Sequence, residues 1–196
     1  MTPSGVILYG PPGAGKDTVS AELSHLNPAF TLFQRLKAGP GRTAGYRLTT
    51  AGHINDLART GELLYRNARY GAEYAIDRAA VKSLLAADRI PVLHMGQVEG
   101  TRAVEAFPTH WVKVLLWCSE ETTRERCIAR GDKDVDARLK VWHETRQDLL
   151  DHATEPWTLV IRTDEVDPVE AAQVIDFVRT SGSASKVRGD IRELVG

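Results

Sequence analysis

Three things are scarce in this chain: cysteine, net charge and long apolar runs. Its two cysteines, Cys118 and Cys127, are too few for a disulfide framework or a zinc site and favour a reducing compartment. The net charge of −1 excludes a global field that would attract nucleic acid or a membrane. No apolar run is long enough to span a bilayer, and no basic stretch precedes an apolar one at the start. We therefore expect a cytoplasmic protein that binds neither nucleic acid nor membrane.

The residues that are present describe an ordinary globular domain. Hydrophobic residues make up 42% and charged residues 26% of the chain, which is usual for such domains, and 196 residues can bury one substantial core. Strand and helix patterns alternate, which predicts an α/β fold with a parallel sheet flanked by helices. The predicted strands cover residues 6–9, 30–33, 62–65, 90–94, 111–117 and 157–161, and the predicted helices cover 16–25, 50–59, 77–87, 98–106, 119–130, 135–149 and 169–179.

Three local patterns carry predictions of their own. The polar run Asn67-Ala68-Arg69-Tyr70-Gly71 is expected to form a turn. The last predicted helix is expected to direct Val169, Val174 and Val178 inward. The segment from residue 181 begins with small polar residues, and we expect it to form a mobile tail.

The most informative stretch joins the first strand to the first helix through a glycine-rich loop. Gly10 and Gly15 frame four residues and Lys16 follows, which is the G-x-x-x-x-G-K spacing of a phosphate-binding loop. Glycines let successive N–H groups converge on one anion, the helix dipole adds positive charge, and the lysine reaches the β- and γ-phosphates. The alternative is a glycine-rich turn with a chance lysine, but the position between strand and helix favours ATP binding. The predicted ATP-binding residues are Gly10, Pro11, Pro12, Gly13, Ala14, Gly15, Lys16, Asp17 and Thr18.

The motif departs from its usual form at the last position. A serine or threonine normally stands there and binds Mg²⁺ through its hydroxyl. Here the residue is Asp17, and a hydroxyl follows one place later at Thr18. Both residues are therefore candidate ligands of Mg²⁺, and the choice between them stays open.

A basic segment follows the second strand. Residues 34–47 hold four cations and one tyrosine among glycines. The segment is too glycine-rich for a helix and too basic for the core, so we expect a loop. It is either a solvated flexible loop or a second anion site, and its position after a phosphate-binding motif supports the second interpretation.

A second group of arginines lies in the later half of the chain. Arg126 and Arg130 are four residues apart and share one helix face, and Arg138 follows the break at Gly131. Guanidinium groups match the oxygens of a phosphoryl group in transfer. The alternative is surface ion pairing with Glu121, Glu125 or Asp134, which contributes little to stability. The six histidines show no ligand spacing, and His94 is the one expected near an acceptor cleft.

Four stretches together resemble the guanylate-kinase-like family of P-loop kinases, in the family's order. They are the loop from Gly10 to Lys16, Arg69-Tyr70-Gly71, the strand end from Val92 to Gly100, and Arg126-Cys127-Ile128-Ala129-Arg130-Gly131 with Arg138. The resemblance implies a P-loop NTPase core, a small acceptor-binding region and a helical lid. It divides residues 1–180 into a core (1–33 and 77–180), an acceptor-binding insertion (34–76) and a lid (about 126–142), followed by the tail 181–196.

The resemblance also implies roles for the matching residues. Lys16, Arg126, Arg130 and Arg138 would be catalytic, acting on the phosphates of ATP. The implied acceptor-binding residues are Arg35, Arg42, Tyr46, Tyr70 and Gln97. The implied reaction moves the γ-phosphoryl group of ATP to the phosphate of an acceptor, with Mg²⁺, in a monomer or homodimer.

Departures from the family pattern bear on the acceptor. GMP is the best single candidate, but Tyr65 stands near the place of the family's guanine-reading glutamate, with Glu62 and Asn67 nearby, and Gln97 replaces an acidic residue. The Lys16-Asp17 pair also resembles the ribose 1,5-bisphosphate phosphokinases, so a sugar phosphate is the alternative acceptor. A third hypothesis, a binding module without catalysis, is disfavoured because such modules are expected to lose the loop lysine or the lid arginines.

Overall fold

The structure is a computed structural model that describes residues 4–69, 71–182 and 191–195. The strands are β1 (Ser4–Tyr9), β2 (Phe30–Leu32), β3 (Leu36–Ala38), β4 (Arg47–Leu48), β5 (Leu63–Arg69), β6 (Ala72–Asp77), β7 (Ile90–Met95), β8 (His110–Trp117) and β9 (Leu159–Arg162). The helices are α1 (Lys16–Leu26), α2 (Ala51–Arg59), α3 (Arg78–Ala86), α4 (Val98–Glu105), α5 (Glu120–Ala129), α6 (Val135–Asp151), α7 (Pro168–Ser181) and α8 (Ile191–Leu194).

The larger sheet is parallel and has the strand order β2-β7-β1-β8-β9. Helices cover both of its faces, so β1 is buried along its whole length and shows no alternation of apolar and polar residues. One face packs on Val19 and Leu23 of α1 and on α7. The other face packs on α3, α4 and α6, with Trp142 among the buried residues. The predicted parallel sheet flanked by helices is confirmed.

A second sheet, with the order β4-β3-β6-β5, is built from residues 36–77. Strand β6 pairs antiparallel with both β3 and β5. Leu36, Ala38, Ile54 and Ala75 form its own small core with α2. This sheet stands beyond the carboxyl end of β2 and forms one wall of the cleft described below.

Two sequence predictions fail in this second sheet. Residues 34–47 are not one loop, because Leu36–Ala38 is a buried strand in which Lys37 is only 1% exposed. The Lys37 ammonium is accommodated because it donates to the carbonyls of Gly39, at 3.3 Å, and Pro40. The predicted turn at 67–71 is also wrong in part, because the strand β5 continues through Arg69.

The inward face of α7 also differs from the prediction. Val169 and Val174 are 51% and 39% exposed, whereas Ile175 and Val178 are buried. Two alanines, Ala171 and Ala172, complete the buried face. Because alanine is small, Ala171 and Ala172 let α7 pack closely on α1. The buried face of α7 is therefore the face that carries these alanines, and not the face that the valine pattern predicts.

The end of the chain packs on the large sheet's second face rather than forming a mobile tail in its described part. Ile191 and Val195 belong to the buried cluster, and the Arg146 side chain donates from Nε to the Val195 carbonyl at 2.6 Å. Residues 183–190 and 196 lie outside the described residues. Among the described helices, none has the length and apolar character needed to cross a bilayer.

Candidate active site

A cleft of about 900 Å³ opens at the carboxyl ends of the parallel strands. This end of a parallel sheet is where α/β folds place ligands, because strands and the following helices diverge there. The cleft is bounded by the loop after β1, the end of β7 and the loop after β9 on one side. The second sheet and the segment between α5 and α6 complete it.

The loop between β1 and α1 has the backbone that its glycines predict. Gly15 lies in the left-handed region, with φ of 77°, and a side chain at Gly10 would meet the Leu116 carbonyl oxygen at 2.2 Å. Lys16 folds back over the loop and donates from Nζ to the carbonyls of Gly10 and Pro11, at 2.6 and 2.7 Å. Burial lowers the pKa of Lys16 to about 8. The ammonium is therefore held at the centre of the loop, where a phosphate group would meet it.

Helix α5 supports this loop from the far side. Arg126 donates from Nη1 to the Gly13 carbonyl at 2.9 Å and to Thr163 Oγ1 at 3.1 Å. Its Nη2 donates to the Thr163 carbonyl at 2.5 Å. Thr123 adds a hydrogen bond from its hydroxyl to the Pro12 carbonyl at 3.2 Å. Arg126 thus joins the phosphate loop to the end of β9. Among the described residues, Arg130 and Arg138 make no such link and contact an aspartate instead.

Arg130 and Arg138 lie in the segment for which the sequence predicts a lid, and they share one acidic partner. Arg130 donates from Nε to Asp132 Oδ1 at 3.1 Å, and Arg138 Nε lies 3.7 Å from Asp132 Oδ2. The hydrogen bond from Arg130 lowers the pKa of Asp132 below its usual value. The expected alternative partner, Asp134, instead caps α6 by accepting from the Ala137 amide. Both guanidinium groups remain about half exposed and line the cleft.

Alternation along β5 places Tyr65, Asn67 and Arg69 on the cleft side of the second sheet. Tyr74 stands opposite Asn67 on β6 and also lines the cleft. The guanidinium carbon of Arg35 lies 5.4 Å from the Tyr74 ring centroid, and the Tyr46 ring lies 5.3 Å from it. The sequence predicts a turn at residues 67–71 and no strand after it, so Tyr74 is not among the predicted site residues. The sequence signal for a strand in this region is the alternation of Tyr65, Asn67 and Arg69, which a strand directs to one face.

Gln97 closes the bottom of this part of the cleft, where α4 begins. Its Oε1 accepts from the Tyr65 hydroxyl at 2.7 Å and from Asn67 Nδ2 at 3.4 Å. Gly100 makes the contact possible, since a side chain there would meet the Tyr65 ring at 2.7 Å. Within the described part of the chain, Asn67 Oδ1 is buried and has no hydrogen-bond partner. The Gln97 side chain is therefore fixed with its oxygen occupied.

The structure brings the predicted site residues together. Of those it describes, all except Pro11 line the cleft, and the Pro11 carbonyl accepts from Lys16. Tyr70 lies outside the described residues. His94, which the sequence places near the acceptor cleft, lines the cleft beside the phosphate loop, with Nε2 2.6 Å from Ser20 Oγ and Nδ1 3.7 Å from Asp17 Oδ1. Burial and the nearby Lys16 charge lower the pKa of His94 to about 4, so its ring is neutral near pH 7.

The donor atoms beside the loop suit a divalent cation held with a nucleotide. The Asp17 carboxylate is 80% exposed and faces the cleft, and Thr18 lines it as well. Hard cations such as Mg²⁺ take carboxylate oxygens together with substrate phosphates. No cluster of three or more histidine, cysteine, aspartate or glutamate side chains that could hold a metal occurs in the described ranges. A bound cation would therefore need ligand atoms from both the protein and the nucleotide.

Comparisons with known proteins agree with this geometry. A family model described as an AAA domain matches residues 6–150. A curated guanylate kinase from Anaeromyxobacter dehalogenans (strain 2CP-C) is 26% identical over 140 residues, which are 69% of this chain and 62% of that enzyme. The chain thus spans less than two thirds of that relative's length.

A solved structure extends the comparison to nearly the whole fold. The crystal structure of guanylate kinase from Anaplasma phagocytophilum matches with a TM-score of 0.64 and 17% identity, covering 99% of this chain and 94% of that one. The match confirms the fold. Because the family model covers well over half of the chain, the protein belongs to the AAA domain family, and within it has the architecture of a guanylate-kinase-like P-loop kinase.

Proposed function

We propose that the protein is an ATP-dependent phosphotransferase that passes the γ-phosphoryl group to the phosphate of a nucleoside monophosphate, with GMP the first candidate. The observation that carries this proposal is the continuity of the cleft. The phosphate loop with Lys16 and the cationic wall with Arg35 and Arg42 line one space of about 900 Å³. That is near the upper end for small-molecule pockets, and a donor and an acceptor are the pair that such a space accommodates.

The chemistry needs alignment and charge neutralisation more than acid–base catalysis. An ionised oxygen of the acceptor phosphate attacks the γ-phosphorus, the bond from that phosphorus to the β,γ-bridging oxygen breaks, and ADP leaves with the electron pair. Mg²⁺, when bound, neutralises charge on the β- and γ-phosphates, and Asp17 and Thr18 are its candidate ligands. Lys16 binds the same phosphates, while Arg130 and Arg138 exchange Asp132 for the oxygens of the transferred group.

On the acceptor side, we propose that Arg35 and Arg42 bind the acceptor phosphate, with Tyr46 beside them. Tyr65, Asn67 and Gln97 would then face the remainder of the acceptor. These three side chains are neutral, whereas a carboxylate is the best partner for the two adjacent N–H donors of guanine. This observation gives a second candidate, a sugar phosphate such as ribose 1,5-bisphosphate, whose hydroxyl groups neutral amides can bind.

An ADP-release assay tests both candidates with GMP, dGMP, AMP, CMP, UMP and ribose 1,5-bisphosphate. We expect turnover with one acceptor class, and loss of that turnover in Lys16→Ala. Lys82→Ala is the matched control, because Lys82 is exposed on α3 and does not line the cleft. ATP binding without turnover on any acceptor would instead favour the binding module. Full activity of Lys16→Ala would overturn the proposal.

The cysteines accord with a cytoplasmic site of action, which we propose together with the activity. Cys118 and Cys127 are both buried and unpaired with each other. Burial raises the pKa of the Cys118 thiol, which keeps it protonated and unreactive. Two buried free cysteines are what a protein of a reducing compartment commonly contains.

A further inference from the structure

A histidine beside the phosphate loop has a side chain that the phosphate chemistry above does not use. His94 is the fifth residue of β7, next to the central strand β1, where it pairs with Leu8. Its side chain is only 18% exposed. It reaches across to the first two turns of α1 and contacts both Ser20 and Asp17. The ring therefore lies between the buried sheet and the residue that replaces the usual hydroxyl of the motif.

One assignment of the hydrogens satisfies both contacts of Ser20. The Ser20 hydroxyl lies 2.8 Å from the Lys16 carbonyl, to which it donates its one hydrogen in this assignment. Ser20 Oγ then accepts from His94 Nε2, which lies 2.6 Å away. In this tautomer the uncharged imidazole carries its single N–H on Nε2, and Nδ1 presents a lone pair.

That lone pair faces a carboxylate oxygen. His94 Nδ1 and Asp17 Oδ1 lie 3.7 Å apart, and in this tautomer both are acceptors. Two ligand atoms that each lie about 2.1 Å from one divalent cation are separated by between about 3 and 4 Å. The pair therefore has the separation and the electron pairs of two ligands of a single cation.

Charge at the phosphate loop supports the same interpretation. Asp17 places a negative charge directly after Lys16, where the polyphosphate of a nucleotide would lie. Like charges at such a distance repel, and a divalent cation between carboxylate and phosphate turns this repulsion into attraction. A hydroxyl at this position would need no such compensation.

We propose that Asp17 Oδ1 and His94 Nδ1 jointly bind the divalent cation that accompanies the nucleotide, as a mixed oxygen and nitrogen site. This inference rests on the proposed binding of ATP. Imidazole favours later transition metals, and carboxylate oxygen suits Mn²⁺ and Mg²⁺ alike. The site therefore binds Mn²⁺ more tightly than Mg²⁺, and phosphate oxygens complete its coordination.

The decisive experiment uses Mn²⁺ as a paramagnetic probe on the full chain with ATP. Pulsed electron paramagnetic resonance detects a directly bound imidazole through modulation from its ¹⁴N nucleus. We expect this modulation in the wild type, its loss in His94→Gln, and its retention in His143→Gln. His143 is the matched control, because its Nε2 lies 3.3 Å from Glu120 on an exposed surface.

Binding measurements supply an independent readout. Asp17→Asn and His94→Gln should each weaken Mn²⁺·ATP by about tenfold or more, while the affinity for metal-free ATP changes less than about threefold. Asp17 is exposed, so its variant keeps the test valid if His94→Gln does not fold. Absence of ¹⁴N modulation in the wild type, together with unchanged Mn²⁺·ATP affinity in Asp17→Asn, would overturn the metal site alone. Absence of ATP binding with or without metal would also overturn the proposed function.

Discussion

Burial decides the charge state of Lys16, the residue on which the phosphate loop depends. Its Nζ donates to two carbonyls of its own loop, and the residue is partly buried at the floor of the cleft. Desolvation lowers the pKa to about 8, so a fraction of the molecules carries an uncharged amine at mildly alkaline pH. A bound polyphosphate restores the charge, because the anion favours the ammonium form.

This pKa predicts how the proposed activity changes at alkaline pH. Above a pH of about 8, kcat/KM for ATP should fall about tenfold per pH unit, because the uncomplexed enzyme loses the Lys16 proton. In Lys16→Arg the guanidinium stays protonated, so the descending limb should move above a pH of about 10, whatever the maximal rate. The measurement is kcat/KM between pH 6 and 10. An identical limb in Lys16→Arg would assign it to another group.

A buried charge cluster on the far side of the core is the other residue-scale feature. Glu155 accepts from Lys113 Nζ and Arg102 Nε, both at 2.8 Å, and Lys113 also donates to Glu105 at 2.7 Å. Burial alone would raise the pKa of Glu155, but the hydrogen bonds from Lys113 and Arg102 outweigh it and the pKa is lowered. The carboxylate is therefore charged in the folded protein at neutral pH.

Replacing this carboxylate should cost stability in a pH-dependent way. We expect Glu155→Gln to lower the free energy of unfolding by about 3 kcal/mol at pH 7, since it leaves Lys113 poorly compensated. Because the folded pKa of Glu155 is lowered, its contribution is present above the unfolded pKa of about 4.3 and is lost as pH falls through the folded pKa. Urea unfolding at pH 7 and pH 3.5 measures the difference. Exposed Glu121→Gln, the control, should change stability by less than about 0.5 kcal/mol.

At the scale of elements, α5 and the segment between α5 and α6 carry two kinds of arginine. Arg126 lies where α5 meets the phosphate loop, with three acceptors on the loop and on Thr163. Arg130 and Arg138 flank the break between α5 and α6 and contact Asp132. One arginine holds the loop in place, and the other two are able to exchange partners with a substrate.

This division predicts that Arg126 cannot be replaced by lysine. A single ammonium cannot reproduce the fork that reaches the Gly13 and Thr163 carbonyls. Loss of one charged hydrogen bond of about 1.5 kcal/mol corresponds to a rise in KM for ATP of about tenfold. Steady-state kinetics measures it, with Arg124→Lys, exposed on the same helix, as the control. Equal KM values in the two variants would contradict the supporting role.

At the scale of the whole molecule, α8 joins the end of the chain to the core. Ile191 and Val195 are buried against the face of the sheet that also holds Trp142. The Arg146 hydrogen bond to the Val195 carbonyl links α6 to this segment. Because Arg138 also lies on α6, this hydrogen bond joins the docked segment to the helix that carries Arg138.

Removing the Ile191 side chain tests this docking. Ile191→Ala should lower the free energy of unfolding by about 2–4 kcal/mol, as for other large-to-small substitutions in a core. Phe177→Ala is the control, because Phe177 is 65% exposed on α7 and its loss should cost less than about 0.5 kcal/mol. Denaturant titration measures both. If the two variants unfold alike, α8 contributes nothing to the core.

The predictability of the elements differs between the two sheets. Strands β1, β7 and β8 are continuous apolar runs, which sequence patterns detect without knowledge of the partner strands. Strand β3 contains Lys37, and its burial depends on carbonyls that the following loop supplies. A prediction from composition therefore leaves Lys37 out of the core, although the tertiary structure buries it.

By itself, the sequence determined the phosphate loop, the parallel sheet and the order of its helices, because each depends on spacings within about a dozen residues. Only the tertiary structure decided which groups meet across long separations. It paired His94 with Asp17, directed Arg126 to the loop and the other two arginines to Asp132, and placed Tyr65, Asn67 and Tyr74 on one wall. These contacts join residues far apart in the chain or depend on strand register, and no local pattern specifies them.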